Sequence, residues 1–566
     1  MQPTTTTIDP FVANPAPPRE LDAVQHQKPL ITRFRLVAAV LAICCVACVT
    51  VGAILFAQHQ AKSDTKSIVT NIQQASALKV TFTALRSTMQ LNGKSQATVY
   101  IVPRVSDLEE DAGSALTFDA IMTQPGNDVT ETYVLLNNRA YWLVSALDGT
   151  PIRSGCMAPS QIPPIQLLQS SLEGSHMVAS VVDGDGVPTA VNCDRGQLLE
   201  LKFAGETFVL CNSNGNQLTH ALGDDLTFTV EYISDPTQVP DIVAPSADLQ
   251  CPFVRAALPE AAPSKVSARA MSWGEFVTPR TSSLGRSSCG CNGPRRPCLF
   301  VHGVGTSSNG PTVDSLAEYW GSIQDNAPCC SSTKFVQMET VKRGWADAEI
   351  QDDFCRFALQ YGTNNNGTTV GDLILVTHSM GNLIAGGALA TARCSFSEGV
   401  SWISLSAPMQ GSKTANLLEQ KCSSGGWGDA AIKGILNLVG KCPAERAFLQ
   451  LKHQSTVDLT LHDQYAAAQK ARINHPAKKL LCGVSSVGLN TVASGLKFVS
   501  SLSNHDTEND GVVDFSSCGV GVSGFGDSTR SANYKASLNH LDTSFRNGDG
   551  WWGDDRKPVK WFECAL

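Results

Sequence analysis

The sequence predicts an α/β architecture: a doubly wound, mostly parallel sheet in the C-terminal half, preceded by a β-rich antiparallel domain and a single transmembrane helix. Three patterns carry that expectation. Beyond residue 297, short apolar runs alternate with helix-period segments, which builds a parallel sheet with helices on both faces. From about 76 to 235 the alternation has a period of two and is broken by Asn and Gly turns. Residues 36–57 contain no charged side chain. A chain of 566 residues is long enough for two or three domains with real cores. Its formal net charge of −8, with no basic cluster, argues against a nucleic-acid partner.

Taken in order, residues 1–35 are Pro- and Thr-rich and read as a disordered tail. The run Leu36 to Ala57, rich in Val, Ala, Leu, Ile and Cys, has about the 20 residues that a bilayer core requires. Lys28, Arg33 and Arg35 crowd its N-terminal side, whereas Lys62 and Lys66 on the far side are mixed with Asp64. The positive-inside bias therefore places 1–35 in the cytoplasm and the rest outside the cell or in a secretory lumen, as a type II signal anchor. A cleaved signal peptide is the competing reading, but its apolar region is about 7–15 residues and starts earlier. Residues 58–75 form a stem.

In the 76–235 domain, Tyr133–Leu136 and Ala140–Val144 flank Asn137-Asn138, and Leu199–Phe203 and Thr207–Leu210 flank Ala204-Gly205. Each reads as a hairpin with a two-residue turn. Thr227–Ile233 makes a later strand. The whole suggests an antiparallel sheet or half-barrel; it is faintly similar to the half-barrels of lipid-carrying lipoproteins, although no motif carries that likeness. Spacer and partner-binding roles both fit. Residues 236–296 have the Pro, Ala and Ser content of a linker.

Of the 19 cysteines, Cys44, Cys45 and Cys48 lie in the span, which leaves 16: four before residue 260 and twelve after. Both counts are even, as disulfide pairing within each domain in an oxidising compartment requires. Cys289, Cys291 and Cys298 lack the partners that a four-ligand zinc site needs. Asn366-Gly367-Thr368 is one glycosylation acceptor.

The domain at 297–566 carries the chemistry. Leu373–Val376 reads as a buried strand and the small residues from Leu383 to Ala392 as a helix, with Ser379 on the turn between them. A serine presented on such a turn needs a strained backbone and a small neighbour, here Gly381, and the helix aims its free N–H groups at the hydroxyl. Thr377 stands at the other position where the G-x-S-x-G pattern has glycine. Upstream, Cys298–Val301 is a short strand running into His302-Gly303-Val304-Gly305, followed by a helix over Asp314–Trp320. Lys334–Met338 reads as a strand, Ile350–Tyr361 as an amphipathic helix, and Val400–Leu405 as a strand ending at Ser406-Ala407-Pro408.

The motifs H-G-V-G, T-H-S-M-G and S-A-P-M-Q-G-S, in this order, resemble the α/β-hydrolase superfamily, and in particular its secreted serine lipases and esterases. The resemblance covers roughly 297–545. It implies a hydrolase of carboxylic esters, lipid esters above all, with Ser379 as nucleophile and the backbone N–H groups of Val304 and Met380 as the oxyanion hole. In that family the acid and the histidine follow the serine. Glu508-Asn509-Asp510-Gly511 resembles the loop that carries the acid, and Leu538-Asn539-His540-Leu541-Asp542 the loop that carries the histidine. Asp510 and His540 are thus the expected partners; His453, His462, His475 and His505 compete but precede the acid.

No cofactor is expected. A structural calcium is the rival reading, because Asp542 holds the place of a calcium ligand in the bacterial enzymes and Asp506, Glu508 and Asp510 echo half of a calcium loop, but no second ligand matches and Ser517 stands where such a loop ends in Glu. Cys422–Cys442 brackets Ile432, Ile435, Leu436, Leu438 and Val439 at helical spacing, which suits either a lid or a core helix. Trp551, Trp552 and Trp561 near Cys564 suit a disulfide-fastened core tail, or a sugar- or membrane-binding surface. Two other functions stay open: a surface binding protein with a degenerate hydrolase domain, and a hydrolase of amide, thioester or polysaccharide ester bonds.

Overall fold

The computed structural model describes residues 66–566 except 91–92, 105–116, 127, 158–161, 163–166, 184–185, 192, 194–195, 214–215, 255–280, 285–288, 292, 425–441 and 490–495. The tail, the expected span at 36–57, the 58–65 part of the stem and the 425–441 part of the lid segment lie outside the described residues. The rest of the expected stem is not a free spacer, since 66–74 are helical and Ile68 and Ile72 are buried in the core of the first sheet. Among the described residues no helix is long and apolar enough to cross a membrane.

The first half forms β1 (Ala77–Ala84), β2 (Gln96–Arg104), β3 (Thr117–Pro125), β4 (Val129–Leu136), β5 (Arg139–Ala146), β6 (Pro151–Cys156), β7 (His176–Val178), β8 (Ser180–Val182), β9 (Gln197–Phe203), β10 (Glu206–Ser213), β11 (Gln217–Gly223) and β12 (Leu226–Ile233). Eleven of these pair in one sheet, in the order β6-β5-β4-β3-β2-β1-β12-β11-β10-β9-β7, each pairing antiparallel. Both expected hairpins form. Asn137 and Asn138 turn β4 into β5 with φ of 50° and 57°, and Ala204 and Gly205 turn β9 into β10 with 53° and 79°. Two successive positive φ values match the twist of the flanking strands. The period of two sends Leu78, Val80 and Phe82 of β1 to one face, while Lys79 reaches across to Glu231 of β12 on the other, at 3.1 Å.

The 236–296 stretch departs from linker behaviour over its described parts. Fully buried Cys251 is bonded to Cys156, and Ile242 and Leu249 pack beside them against the sheet. Further on, β13 (Thr281–Ser283) pairs in parallel with β8. Composition suggested a free chain because a few anchors, one covalent, do the holding.

The second sheet comprises β14 (Arg296–Val301), β15 (Gly310–Val313), β16 (Cys330–Gln337), β18 (Leu373–His378), β20 (Val400–Leu405), β21 (Lys478–Gly483), β22 (Phe525–Gly526) and β23 (Asn533–Ala536), while β17 (Thr369–Val370) and β19 (Ser395–Phe396) pair apart from it. Its order is β15-β16-β14-β18-β20-β21-β23-β22. Only the β15–β16 edge is antiparallel. The continuous apolar runs follow from burial on both faces. Leu299, Val301, Leu373 and Leu375 pack with helices α1 (Ala348–Tyr361), α2 (Met380–Ala390) and α4 (Leu459–Asn474), with α3 (Lys413–Ser424) at the rim. Phe300, Ile374 and Val376 pack on the other side with Trp320 and with Trp561 and Phe562 of α5 (Pro558–Ala565). The expected helix over Asp314–Trp320 shrinks to one turn, Ala317–Trp320, because 310–313 join the sheet edge and Gly321 (φ 59°) ends the turn.

All 16 cysteines beyond the expected span are paired, four in the first half and twelve in the second. Cys289, Cys291 and Cys298 go to Cys564, Cys329 and Cys330, so no thiolate is left for zinc. Cys564 fastens α5, in which Trp561 is fully buried. The two sheets belong to one compact unit. Lys557 at the start of α5 meets Glu206 and Asp225 at 2.8 Å each, Lys560 meets Asp225 at 2.6 Å, and Arg86 meets Glu563 at 2.8 Å.

Candidate active site

The chain leaves β14 for the outer strands and returns beside it as β18, so the sheet order reverses between these two neighbours. Such a reversal opens a crevice past the carboxyl ends of the strands, where open α/β sheets place their ligands. His302-Gly303-Val304 follows β14 there, and Ser379 follows β18.

Ser379 has φ 54° and ψ −129°. A non-glycine residue keeps such a backbone only where its surroundings enforce it. Two glycines make room for it. A methyl group on Gly381 would lie 2.7 Å from the Val301 carbonyl oxygen and 2.8 Å from that of His302, so helix α2 could not pass β14. A methyl group on Gly303 would lie 2.6 Å from Ser379 Cβ and 3.0 Å from its Oγ. Thr377, the departure from the glycine pattern, is buried and useful: its hydroxyl donates to Asn382 Oδ1 at 2.6 Å and accepts from Trp402 Nε1 at 2.8 Å. Asn382 in turn donates to the carbonyls of Thr377, Ser379 and Leu405, which ties the elbow to β18 and β20.

Ser379, His540 and Asp510, 161 and 30 residues apart in sequence, form one hydrogen-bonded chain. His540 Nε2 lies 2.9 Å from Ser379 Oγ. His540 Nδ1 lies 2.8 Å from Asp510 Oδ2. Facing a carboxylate, Nδ1 carries the hydrogen, which leaves Nε2 bare to accept the serine proton. The other oxygen of Asp510 accepts the N–H groups of Val512 at 3.0 Å and Val513 at 2.7 Å, and the His540 amide donates to the Asp510 carbonyl at 2.9 Å. The acid and the histidine therefore hold one another through backbone as well as side chain. All three residues are buried.

Met380 begins α2, where the first amides have no intrahelical acceptor. Among the described residues neither its N–H nor that of Val304 is paired with an acceptor. The Gly303 N–H, by contrast, donates to the Tyr319 hydroxyl at 2.8 Å.

Tyr319 belongs to a second network that sequence reasoning missed. Its hydroxyl lies 2.6 Å from His378 Nδ1. His378 Nε2 is 3.0 Å from the His540 carbonyl and 3.1 Å from Thr543 Oγ1. The carbonyl can only accept, so Nε2 carries the hydrogen and Tyr319 donates to Nδ1. Burial drives the His378 pKa well below the ordinary histidine value, with His540 and Arg546 adding to it, so the neutral ring that this pattern requires persists. Burial likewise pushes the Tyr319 hydroxyl up to about 12. The network joins the loop after β14, the residue before Ser379 and the His540 loop. The one signal in sequence was the histidine adjoining Ser379; nothing local linked Tyr319 to it.

The competing histidines stay away from the serine. His475 Nε2 bonds the Val400 carbonyl. His505 sits between Asp514 (2.8 Å) and Thr414 (2.9 Å). The rival calcium reading does not fit the donor set. Asp542 is fully buried, but its carboxylate accepts N–H groups from Leu489 (2.8 Å), Asn539 (3.1 Å) and Asn547 (2.6 Å). Such donors present hydrogens, where a cation needs oxygen lone pairs. Asp506, Glu508 and Asp510 turn instead to Lys413, Lys535 and His540. Among the described residues no group of His, Cys, Asp and Glu side chains is arranged to hold a metal.

No protein-family model and no curated protein matches the sequence. Among solved structures, the phospholipase PlaB of Legionella pneumophila is 15% identical over 39% of this chain, with a TM-score of 0.25. The lipase of Staphylococcus hyicus is 12% identical over 49% of this chain and 94% of its own, with a TM-score of 0.27. LprF of Mycobacterium bovis is 11% identical over 33% of this chain and 98% of its own, with a TM-score of 0.21. The match spans only 44% of the phospholipase chain. Lipases and esterases thus stand among the neighbours, at scores too low to bear on the site, which rests on its own distances.

Proposed function

We propose that this chain is a serine hydrolase of the α/β-hydrolase type that cleaves carboxylic esters. The observation that carries the reading is the unbroken chain Ser379 Oγ–His540 Nε2 (2.9 Å) and His540 Nδ1–Asp510 Oδ2 (2.8 Å). His540 takes the Ser379 proton as Oγ attacks the acyl carbonyl, and returns it to the departing alkoxide, which leaves an acyl-enzyme and an alcohol. Water, deprotonated by the same imidazole, then attacks the acyl carbon and releases the carboxylic acid and free serine. Asp510 keeps the ring in the required tautomer and stabilises the imidazolium. The amides of Val304 and Met380 receive the oxyanion. An intact chain of this kind gives no support to a degenerate, purely binding domain.

Lipid esters are the proposed substrate class, on the strength of the motif resemblance and of the apolar positions within 422–442. The proposed setting is extracellular or lumenal, with residues 36–57 as a type II anchor; the charge bias around that run and the paired cysteines support it. Asn366 of the acceptor triplet is exposed. A fluorophosphonate probe tests the chemistry: it should label the wild-type chain and leave Ser379→Ala unlabelled. Persistent labelling of that variant would remove Ser379 as nucleophile. A chain-length series of esters, set beside amide and thioester analogues, tests the substrate class.

A further inference from the structure

Apart from the catalytic crevice, the described molecule contains a cavity of about 460 Å³ along one face of the eleven-stranded sheet. That volume lies within the range of small-molecule sites, about 300–1,000 Å³. Its walls are apolar and come from alternate positions of neighbouring strands: Val80 and Phe82 of β1, Ala120 of β3, Phe208 and Leu210 of β10, Phe228 of β12. A soluble domain would ordinarily fill such a volume with its own side chains, since interiors pack as densely as organic crystals.

The far end of the cavity is made by the other half of the molecule, through the segment 547–552 that follows the His540 loop. Trp551 and Trp552 line it there, and the indole N–H of each is buried with no acceptor among the described residues. Tryptophan N–H groups normally find a partner when buried. Each acidic side chain at the wall has at least one partner, although Glu206 Oε2 is buried without one among the described residues. Glu206 meets Lys557 at 2.8 Å, Asp549 accepts from Thr88 at 2.7 Å and from the Val559 amide at 2.8 Å, and Glu131 accepts from Tyr133 at 2.6 Å. The cavity therefore presents a long apolar wall and, at one end, two unanswered indole donors beside Arg556, whose Nη2 donates to the Gly488 carbonyl at 3.1 Å.

We propose that this cavity binds one long-chain acyl lipid, its aliphatic chain lying along the sheet and its carbonyl oxygen accepting from Trp551 and Trp552. The site is composite: the sheet supplies the apolar walls and the catalytic half supplies the polar end. It is separate from Ser379 and does not depend on the esterase reading.

The test uses the whole chain carrying Ser379→Ala and cis-parinaric acid, whose emission rises on entering an apolar site. Saturable one-to-one binding is expected. Ala120→Trp fills the cavity and should weaken binding at least about tenfold. Thr81→Trp, on the opposite face of β1, should leave it unchanged. Trp551→Phe with Trp552→Phe keeps an aromatic ring at each position and removes both donors, which should weaken binding by about two- to tenfold for each hydrogen bond lost. Competition by saturated fatty acids from octanoic to stearic should tighten by about fourfold per added methylene until the chain fills the cavity. Absence of saturable binding, equal effects of Ala120→Trp and Thr81→Trp in folded protein, or displacement indifferent to chain length would overturn the proposal. Should Ala120→Trp fail to fold, the indole variants and the chain-length series decide it.

Discussion

Replacing Asp510 with asparagine should remove most of the turnover while leaving the fold in place, and the structure says why. One carboxylate oxygen accepts two backbone N–H groups, those of Val512 and Val513. An asparagine must keep its carbonyl oxygen there, because its NH₂ group would otherwise face two donors. The NH₂ group is then left facing His540 Nδ1, which must become an acceptor. The ring hydrogen moves to Nε2, the atom 2.9 Å from Ser379 Oγ, and the imidazole can no longer take the serine proton. A wrong tautomer with unchanged geometry costs about 10⁴-fold in kcat in the serine triad, about 5.5 kcal/mol of transition-state stabilisation. Both backbone hydrogen bonds survive, so the melting temperature should stay within a few degrees of wild type. Hydrolysis of a p-nitrophenyl ester followed with Asp510→Asn gives the magnitude, and a thermal melt shows that the protein is folded. A loss below about tenfold in folded protein would refute the argument, because the carboxylate would then not be setting the tautomer.

Other outcomes follow from the same geometry. Gly303→Ala, whose Cβ would sit 2.6 Å from Ser379 Cβ, should lower kcat by about 100-fold or more, since a displacement of about 1 Å at the reacting atoms has that effect. Gly305→Ala, which meets nothing within 4 Å, should act through its positive φ of 124° on stability instead; ester hydrolysis and melts of the two variants separate these effects. Tyr319→Phe leaves the Gly303 amide and His378 Nδ1 without their buried partner, which should cost about 1–3 kcal/mol for each group and lower kcat more than it raises KM. In the ionic cluster between the two halves, burial works to raise the Asp225 pKa, but Lys557 and Lys560 outweigh it and hold it below the usual carboxylate value. A depressed folded-state pKa contributes stability that is complete above the unfolded value of about 3.9 and is lost as pH falls through the folded one. The melting temperature should therefore drop below about pH 4. Asp225→Asn should be destabilised by about 3–5 kcal/mol at pH 7, with a shallower acid slope in melts taken across that range.

Much of the site was legible in the sequence because its parts are local. A strand, a small residue and a serine before a helix occupy a dozen consecutive positions, and the strained backbone of Ser379 follows from that adjacency. The hairpins at Asn137-Asn138 and Ala204-Gly205 are local in the same sense, as is the even division of the cysteines. Thr377 could be seen in the sequence as a departure from the pattern but not explained. Its place depends on Asn382 and Trp402, the second of which comes from the neighbouring strand.

Local spacing and turn chemistry thus determined which strands and turns would form and marked Ser379, while Asp510 and His540 were implied by the resemblance of their loops to those of the α/β-hydrolases. Only tertiary structure decided that His540 and not His505 meets Ser379, since both histidines find a carboxylate and each loop is silent about which strand end it crosses. It alone decided that N–H donors surround Asp542, that Tyr319 bridges Gly303 and His378, and that the 236–254 segment is pinned by Cys251. The cavity behind Trp551 and Trp552 is likewise a product of the fold, because its walls come from strands more than a hundred residues apart and its end from the other half of the chain. Hydrogen bonds and packing between distant segments leave no periodic trace in either segment, and for that reason they had to be seen in three dimensions.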